Sequence, residues 1–232
     1  MFITFSGIDG SGKSTQIGIL QSELTQLGLS SVVYSFWDDI VALRRTREAL
    51  SANFFKGDTG VGSPEHPINR KDKNVRSWYA NLARLLFYLL DVINLNLFVR
   101  RLRKKADVVI FDRYIYDELA NLTLRSWWTR GYAFVLIHIS PRPMISYIVD
   151  AQPEVARARK PEYPLDFLRR NREAYIDLSR SETHFTVVGP GTVEAISCEI
   201  IHSMSKVLPT VAAYSKSTSR VPDPQAANPA ME

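Results

Sequence analysis

The sequence predicts an α/β fold: a parallel sheet with helices covering both faces, its working residues at the C-terminal ends of the strands. Three observations carry this. Short apolar runs at residues 1–5, 31–36, 107–111, 144–149 and 185–188 alternate with longer segments of helical character. The runs are apolar throughout instead of alternating, as strands buried on both faces are. A glycine-rich segment also joins the first strand to the first helix, the connection at which parallel sheets bind phosphate groups.

Taken in order, residues 1–5 form the first strand, and the helix that opens at Lys13 runs through the amphipathic stretch 16–24. Residues 31–36 form the second strand. Residues 53–74 carry Gly57, Gly60, Gly62, Pro64 and Pro67 with little periodicity, which predicts a long mobile loop able to cover a site. A long helix follows over 75–105, apolar on more than one side between Leu82 and Asp91. Its basic end, Arg100, Arg101, Arg103, Lys104 and Lys105, complements the negative pole of a helix C-terminus, and this accounts for it better than a nucleic-acid patch. The third strand is 107–111. The run 134–139 could pass for a strand, but Pro141 and Pro143 separate it from the second run, 144–149. The latter becomes the fourth strand, ending at Asp150, and the former the end of a helix from about residue 117. The last strand is 185–188 and the last helix 192–208. Residues 1–208 make one expected domain, and the polar, Pro-rich residues 209–232 a disordered tail.

Composition narrows the function classes. A chain of 232 residues that is 45% hydrophobic can bury one good-sized core. The net charge of +5 is spread over several segments with no basic stripe interleaved with aromatics, so the expectation is an anionic small molecule and no nucleic acid. The single cysteine, Cys198, leaves no internal disulfide and no cysteine metal cluster. The start, Met-Phe-Ile-Thr-Phe, has no basic leader, and the expected setting is the cytoplasm with no membrane partner.

Chemistry concentrates in two places. Gly7-Ile8-Asp9-Gly10-Ser11-Gly12-Lys13-Ser14-Thr15 fits the pattern G-x-x-x-x-G-K-[ST] in its proper context of strand before and helix after. Backbone N–H groups of such a loop turn inward around a polyphosphate. The helix dipole adds positive potential, Lys13 reaches the outer phosphates, and the Ser14 hydroxyl is placed to ligate Mg2+. A nucleotide polyphosphate and Mg2+ are the ligands this implies, held by Gly7, Asp9, Gly10, Ser11, Gly12, Lys13, Ser14 and Thr15. Asp112-Arg113-Tyr114 directly follows the third strand and therefore emerges at the same edge. Asp112 could hold a Mg2+-bound water there, and Arg113 offers a planar fork to a second phosphate.

Together these residues resemble the thymidylate kinase-like family of P-loop nucleoside monophosphate kinases. The resemblance rests on Phe5 to Gln16, on Asp112-Arg113-Tyr114, and on Pro141-Arg142-Pro143 with the strand to Asp150 and Pro153-Glu154-Val155-Ala156. It implies a P-loop kinase fold: a five-stranded parallel sheet covered by helices on both faces, with a short lid. It further implies that Lys13 and Ser14 serve ATP and Mg2+, that Asp9 lies between the two substrates, and that Arg113 grips an acceptor monophosphate. Arg47 falls where another phosphate-contacting arginine is expected, and Asp91 and Tyr114 join the acceptor site. The basic stretch within 156–164, Arg157, Arg159 and Lys160, falls at the family's lid. Since the loop carries Gly10 where one subgroup has an arginine, the transition-state cation would come from that stretch. Related kinases dimerise through the long helix, so 75–105 is the expected homodimer surface.

The departures bear on the acceptor. Phe36-Trp37-Asp38-Asp39 replaces the family's turn after the second strand, and Leu90-Asp91-Val92 stands where an arginine normally helps hold the acceptor. Asp117, Glu118 and Leu122 replace the serines or threonines and the glutamine that define the thymidylate pocket. Three readings stay open: a kinase of a (deoxy)nucleoside monophosphate; a kinase of a hydroxyl acceptor, with Asp38 or Asp39 as base; and a nucleotide-dependent switch.

Overall fold

A computed structural model of the chain describes residues 1–41, 78–102, 105–121, 127–180 and 184–208. Five parallel strands form one sheet: β1 (Phe2–Ser6), β2 (Ser31–Ser35), β3 (Val108–Asp112), β4 (Ile145–Val149) and β5 (Phe185–Val188), in the order β2-β3-β1-β4-β5. β1 lies at the centre. Its Phe5 is in register with Asp112 of β3 and Tyr147 of β4, while Ser35 of β2 is in register with the same Asp112. The C-terminal ends of the four strands β1 to β4 are therefore level, and whatever follows them shares one edge.

Each strand feeds two cores. Val109 and Phe111 of β3 face a cluster with Phe36, Val92, Tyr114, Leu136 and Leu168. Val108 and Ile110 face the other, with Ile3, Phe5, Leu20, Leu24, Ile196 and Met204. Burial on both faces explains why the strands read as continuous apolar runs. Phe111 and Phe5 are fully buried, and truncating either to alanine would cost about 3–5 kcal/mol.

Seven helices are described: α1 (Lys13–Gln26), α2 (Trp78–Leu102), α3 (Ile115–Ala120), α4 (Trp127–Ile139), α5 (Pro153–Arg159), α6 (Leu165–Ser179) and α7 (Val193–Ser205). A single π-helical turn, Phe36–Ile40, follows β2. α1 and α7 pack on one face, joined by the Gln16 side chain, which donates to the Val193 carbonyl at 2.9 Å and accepts from the Ser197 hydroxyl at 2.8 Å.

Two expectations need correction. The helix expected from about 117 to 139 is two helices, α3 and α4; α3 ends at the Asn121 cap, whose side chain donates back to the Asp117 carbonyl at 2.6 Å. The sequence reading also missed α6, whose inward residues Leu168, Tyr175 and Leu178 keep helical spacing amid many charges. The loop at 53–74, Arg47, Leu122 and the tail 209–232 lie outside the described residues.

Candidate active site

The loop between β1 and α1 is shaped by its glycines. Gly10 and Gly12 take φ values of 84° and 98°, a region costly to other residues. At Gly12 a Cβ would meet nothing within 4 Å. At Gly10 it would run into the carbonyl oxygen of Ala156 and stand 2.9 Å from that carbonyl carbon and 3.2 Å from the Ala156 Cα. The start of the 156–164 segment thus rests on the loop's backbone. No side chain caps α1: its N-cap is Gly12, and there is no acid in its first turn. The first N–H groups of the helix are left for an external anion.

Lys13 is buried among these atoms, its ammonium donating to the Gly7 carbonyl at 2.8 Å and the Ile8 carbonyl at 2.9 Å. Burial, helped by the nearby Arg113, pulls its pKa down to about 8, against the opposing pull of Asp9. Ser14 and Thr15 are exposed on the first turn, and Ser11 is buried beneath the loop.

Across from the loop, β3 delivers Asp112 and Arg113. Asp112 is half-buried, and desolvation raises its pKa although Lys13 and Arg113 oppose the rise. Arg113 has a left-handed backbone, φ 71°, and its N–H donates to the Phe5 carbonyl at 2.9 Å, tying it to the central strand. Its guanidinium is paired with the Asp9 carboxylate of the loop. Burial works against the arginine's charge, but Asp9 and Asp117 outweigh it and hold its pKa above the ordinary value. For Asp9, burial would raise the pKa, but Arg113, Lys13 and Lys160 together lower it. Asp9, Lys13, Asp112, Arg113 and Lys160 therefore form one electrostatic group.

Lys160 belongs to the segment that closes the third side. Arg157 is half-buried; Arg159 and Lys160 are exposed, with the Lys160 ammonium 3.3 Å from Glu162. Neither Arg157 nor Arg159 pairs with an acid among the described residues. The expected lid at 156–164 spans the end of α5 and the turn after it. α6 ties α5 and the segment before it: Arg169 reaches Glu154 of α5 at 2.7 Å, and Arg172 grips Asp150, the residue after β4, through two bonds of 2.6 and 2.7 Å.

The remaining candidates separate. Asp38 and Asp39 lie beyond β2, at the same edge, and are exposed. The Asp39 carboxylate accepts from the Ser35 N–H at 2.8 Å, and Ser35 Oγ accepts from the Asp38 N–H at 3.3 Å, so both residues close the π-helical turn. Asp91 is fully buried on α2. The Tyr114 side chain turns into the core, ringed by Phe2, Phe36, Phe111 and Tyr116, with its hydroxyl donating to the Pro141 carbonyl at 2.5 Å. Sequence reasoning did not find the partners that organise Asp117, which are Ser6 and Tyr175, nor Arg172.

No family model matches the chain. It is 28% identical over 222 residues to the thymidylate kinase of Symbiobacterium thermophilum, covering 90% of this chain and 94% of that protein. It is 29% identical over 221 residues to the thymidylate kinase of Pelobacter propionicus, covering 86% and 91%. The crystal structure of thymidylate kinase from Ehrlichia chaffeensis superimposes with a TM-score of 0.55 at 20% identity over 88% of this chain and 98% of that one, which establishes the shared fold.

Proposed function

We propose that this chain, which belongs to the thymidylate kinase-like family of P-loop nucleoside monophosphate kinases, transfers the γ-phosphoryl group of ATP to a (deoxy)nucleoside monophosphate. The observation that carries this is the meeting of two phosphate-binding devices. The uncapped N-terminus of α1 with buried Lys13 faces Arg113 across one sheet edge, and Asp9 bridges them.

The loop fits ATP by the same observations: its glycines leave backbone N–H groups uncovered, and Lys13 occupies carbonyls that an entering phosphate would replace as its partner. Ser14, and Asp112 through water, would hold Mg2+, and Gly7, Asp9, Gly10, Ser11, Gly12 and Thr15 complete the cradle. ATP and Mg2+ supply the transferable phosphoryl group and offset its negative charge. The chain's own residues then have three tasks. Lys13, with Arg157, Arg159 and Lys160, stabilises charge that builds up on the group in transit. Arg113, with Arg47, positions the acceptor. Asp9 keeps Arg113 aimed towards the loop. An ionised acceptor phosphate needs no base, which suits the turn-closing role of Asp39. The departures at Asp38-Asp39, Val92 and Asp117 support an acceptor other than thymidine monophosphate, or thymidine monophosphate as a poor one.

The same reading covers the setting. No described helix is long and apolar enough to cross a membrane, and the lone cysteine suits the cytoplasm. A homodimer through α2 is supported by its exposed row Leu86, Leu89, Leu90, Ile93 and Leu97. α4 runs beside it, tied by Asn96, which donates to the Ile139 carbonyl at 2.9 Å, and it extends the apolar face with Trp128, Phe134 and Val135.

The test is an acceptor screen with ATP and Mg2+. ADP formed only with nucleoside monophosphates is the expected result. ADP formed only with nucleosides or other alcohols, and lost in Asp38→Asn or Asp39→Asn, would move the assignment to the hydroxyl-acceptor class. Phosphate release without any acceptor would move it to a switch.

A further inference from the structure

Asp117 is the most heavily engaged carboxylate beside the loop, and nothing above gives it a part in the reaction. It is 1% exposed. Its Oδ2 accepts from the Ser6 hydroxyl at 2.6 Å and from the Tyr114 N–H at 2.9 Å; its Oδ1 accepts from the Tyr175 hydroxyl at 2.7 Å. That same Oδ1 stands 3.8 Å from a guanidinium nitrogen of Arg113. The other terminal nitrogen of the guanidinium is paired with Asp9. One arginine is therefore flanked by two acids, and the trio Asp9, Arg113 and Asp117 carries more negative than positive charge.

Three elements converge to hold this carboxylate still: Ser6 ends β1, Tyr114 is the N-cap of α3, and Tyr175 comes from α6. The bond to the Tyr114 N–H fixes the peptide next to Arg113, whose left-handed backbone aims the side chain at the loop. The hydroxyls of Ser6 and Tyr175 share the negative charge and limit how fully it is spent on Arg113.

We infer that Asp117 is a specificity-determining counter-charge. It positions Arg113 and at the same time reduces the net positive potential that the acceptor phosphate meets, so that the site takes an acceptor bearing a single phosphate and grips it loosely. This rests on the reading that Arg113 holds the acceptor phosphate. A merely structural Asp117 makes a different prediction of sign: disturbing a structural hub weakens binding, whereas removing a counter-charge strengthens it.

The experiment measures equilibrium binding of thymidine monophosphate, without ATP, to the full chain and three variants, with folding checked by circular dichroism and thermal melting. Asp117→Asn keeps the shape and an acceptor oxygen but removes the charge. It is expected to bind about tenfold tighter, the scale for deleting a unit charge several Å from a bound anion in a partly solvated site. Tyr175→Phe leaves the charge but removes one hydroxyl that shares it, and is expected to bind about threefold weaker. Equal or weaker binding by folded Asp117→Asn overturns the inference. Should Asp117→Asn not fold, equal or tighter binding by Tyr175→Phe overturns it. Arg113→Ala keeps the two readings apart. If its binding matches the parent, the acceptor role of Arg113 fails. If it weakens while Asp117→Asn gains nothing, the counter-charge alone fails.

Discussion

Replacing Gly10 by alanine tests how closely α5 rests on the phosphate loop, and Gly12→Ala supplies its control. Both residues have left-handed backbones, at 84° and 98°, so each substitution carries the strain of placing a Cβ there, about 1–2 kcal/mol. Only Gly10 has a neighbour in the way. Its added Cβ would stand 2.9 Å from the Ala156 carbonyl carbon and closer still to the oxygen, so the backbone of α5 must back away. Such overpacking costs about 1–3 kcal/mol more. For a domain of this size each kcal/mol lowers Tm by roughly 2–4 °C. Gly10→Ala should therefore melt measurably below Gly12→Ala. The shift of α5 also carries Arg157, Arg159 and Lys160 away from the loop, and misplacement of catalytic groups by about 1 Å can cost on the order of a hundredfold in turnover. The assays are thermal melting and steady-state ATP turnover. Equal melting temperatures for the two variants, with turnover of Gly10→Ala at the parental level, would refute the contact between loop and lid.

Lys13→Ala should lose at least about two orders of magnitude in turnover. It should nevertheless be no less stable at pH 7: a buried lysine with a pKa of about 8 binds fewer protons folded than unfolded, so its charged form opposes folding below that pH and stability rises from pH 8 towards the lysine's ordinary value. Phosphate beside Lys13 restores its affinity for the proton, so ADP binding at pH 8.5 should be accompanied by proton uptake. Identical calorimetric heats in two buffers of different ionisation enthalpy would contradict this. Alanine at Arg157, Arg159 or Lys160 should lower turnover more than ATP affinity, and full turnover in all three variants would reduce the segment to a solvated face. Ile93→Glu places a charge in the exposed row of α2 and should yield a monomer by sedimentation; a parent that is itself monomeric at micromolar concentration counts against the proposed dimer.

Features with local physical causes were legible in the sequence. The glycine-shaped turn between β1 and α1 could be read because its glycines, Lys13 and Ser14 stand within a short stretch of chain, and the place of Arg113 at the sheet edge because it directly follows a buried strand. The run 134–139 ends a helix, as the prolines behind it imply. α6 escaped because its inward residues are sparse among arginines and acids, although Leu168, Tyr175 and Leu178 carried the period. The surroundings of Asp117 could not be read at all. Its partners Ser6 and Tyr175 lie 111 and 58 residues away in the chain, and only the closed sheet brings them together. Tyr114, expected at the acceptor site, instead has its ring in the core, although its neighbour Arg113 pairs with Asp9 of the loop.

The place of β1 at the middle of the sheet has a consequence for how the protein is made. β1 is synthesised before its two neighbours, which begin at Val108 and Ile145, and without them the strand has nothing to pair with. During synthesis the loop that follows it therefore waits, unshaped, until most of the chain has left the ribosome. Arg113, bonded to the Phe5 carbonyl, and Ala156, resting on Gly10, then arrive with the strands that order it. Competence to bind nucleotide is thus gained late and all at once, so a chain truncated before β4 should be blind to ATP however intact its first twenty residues are.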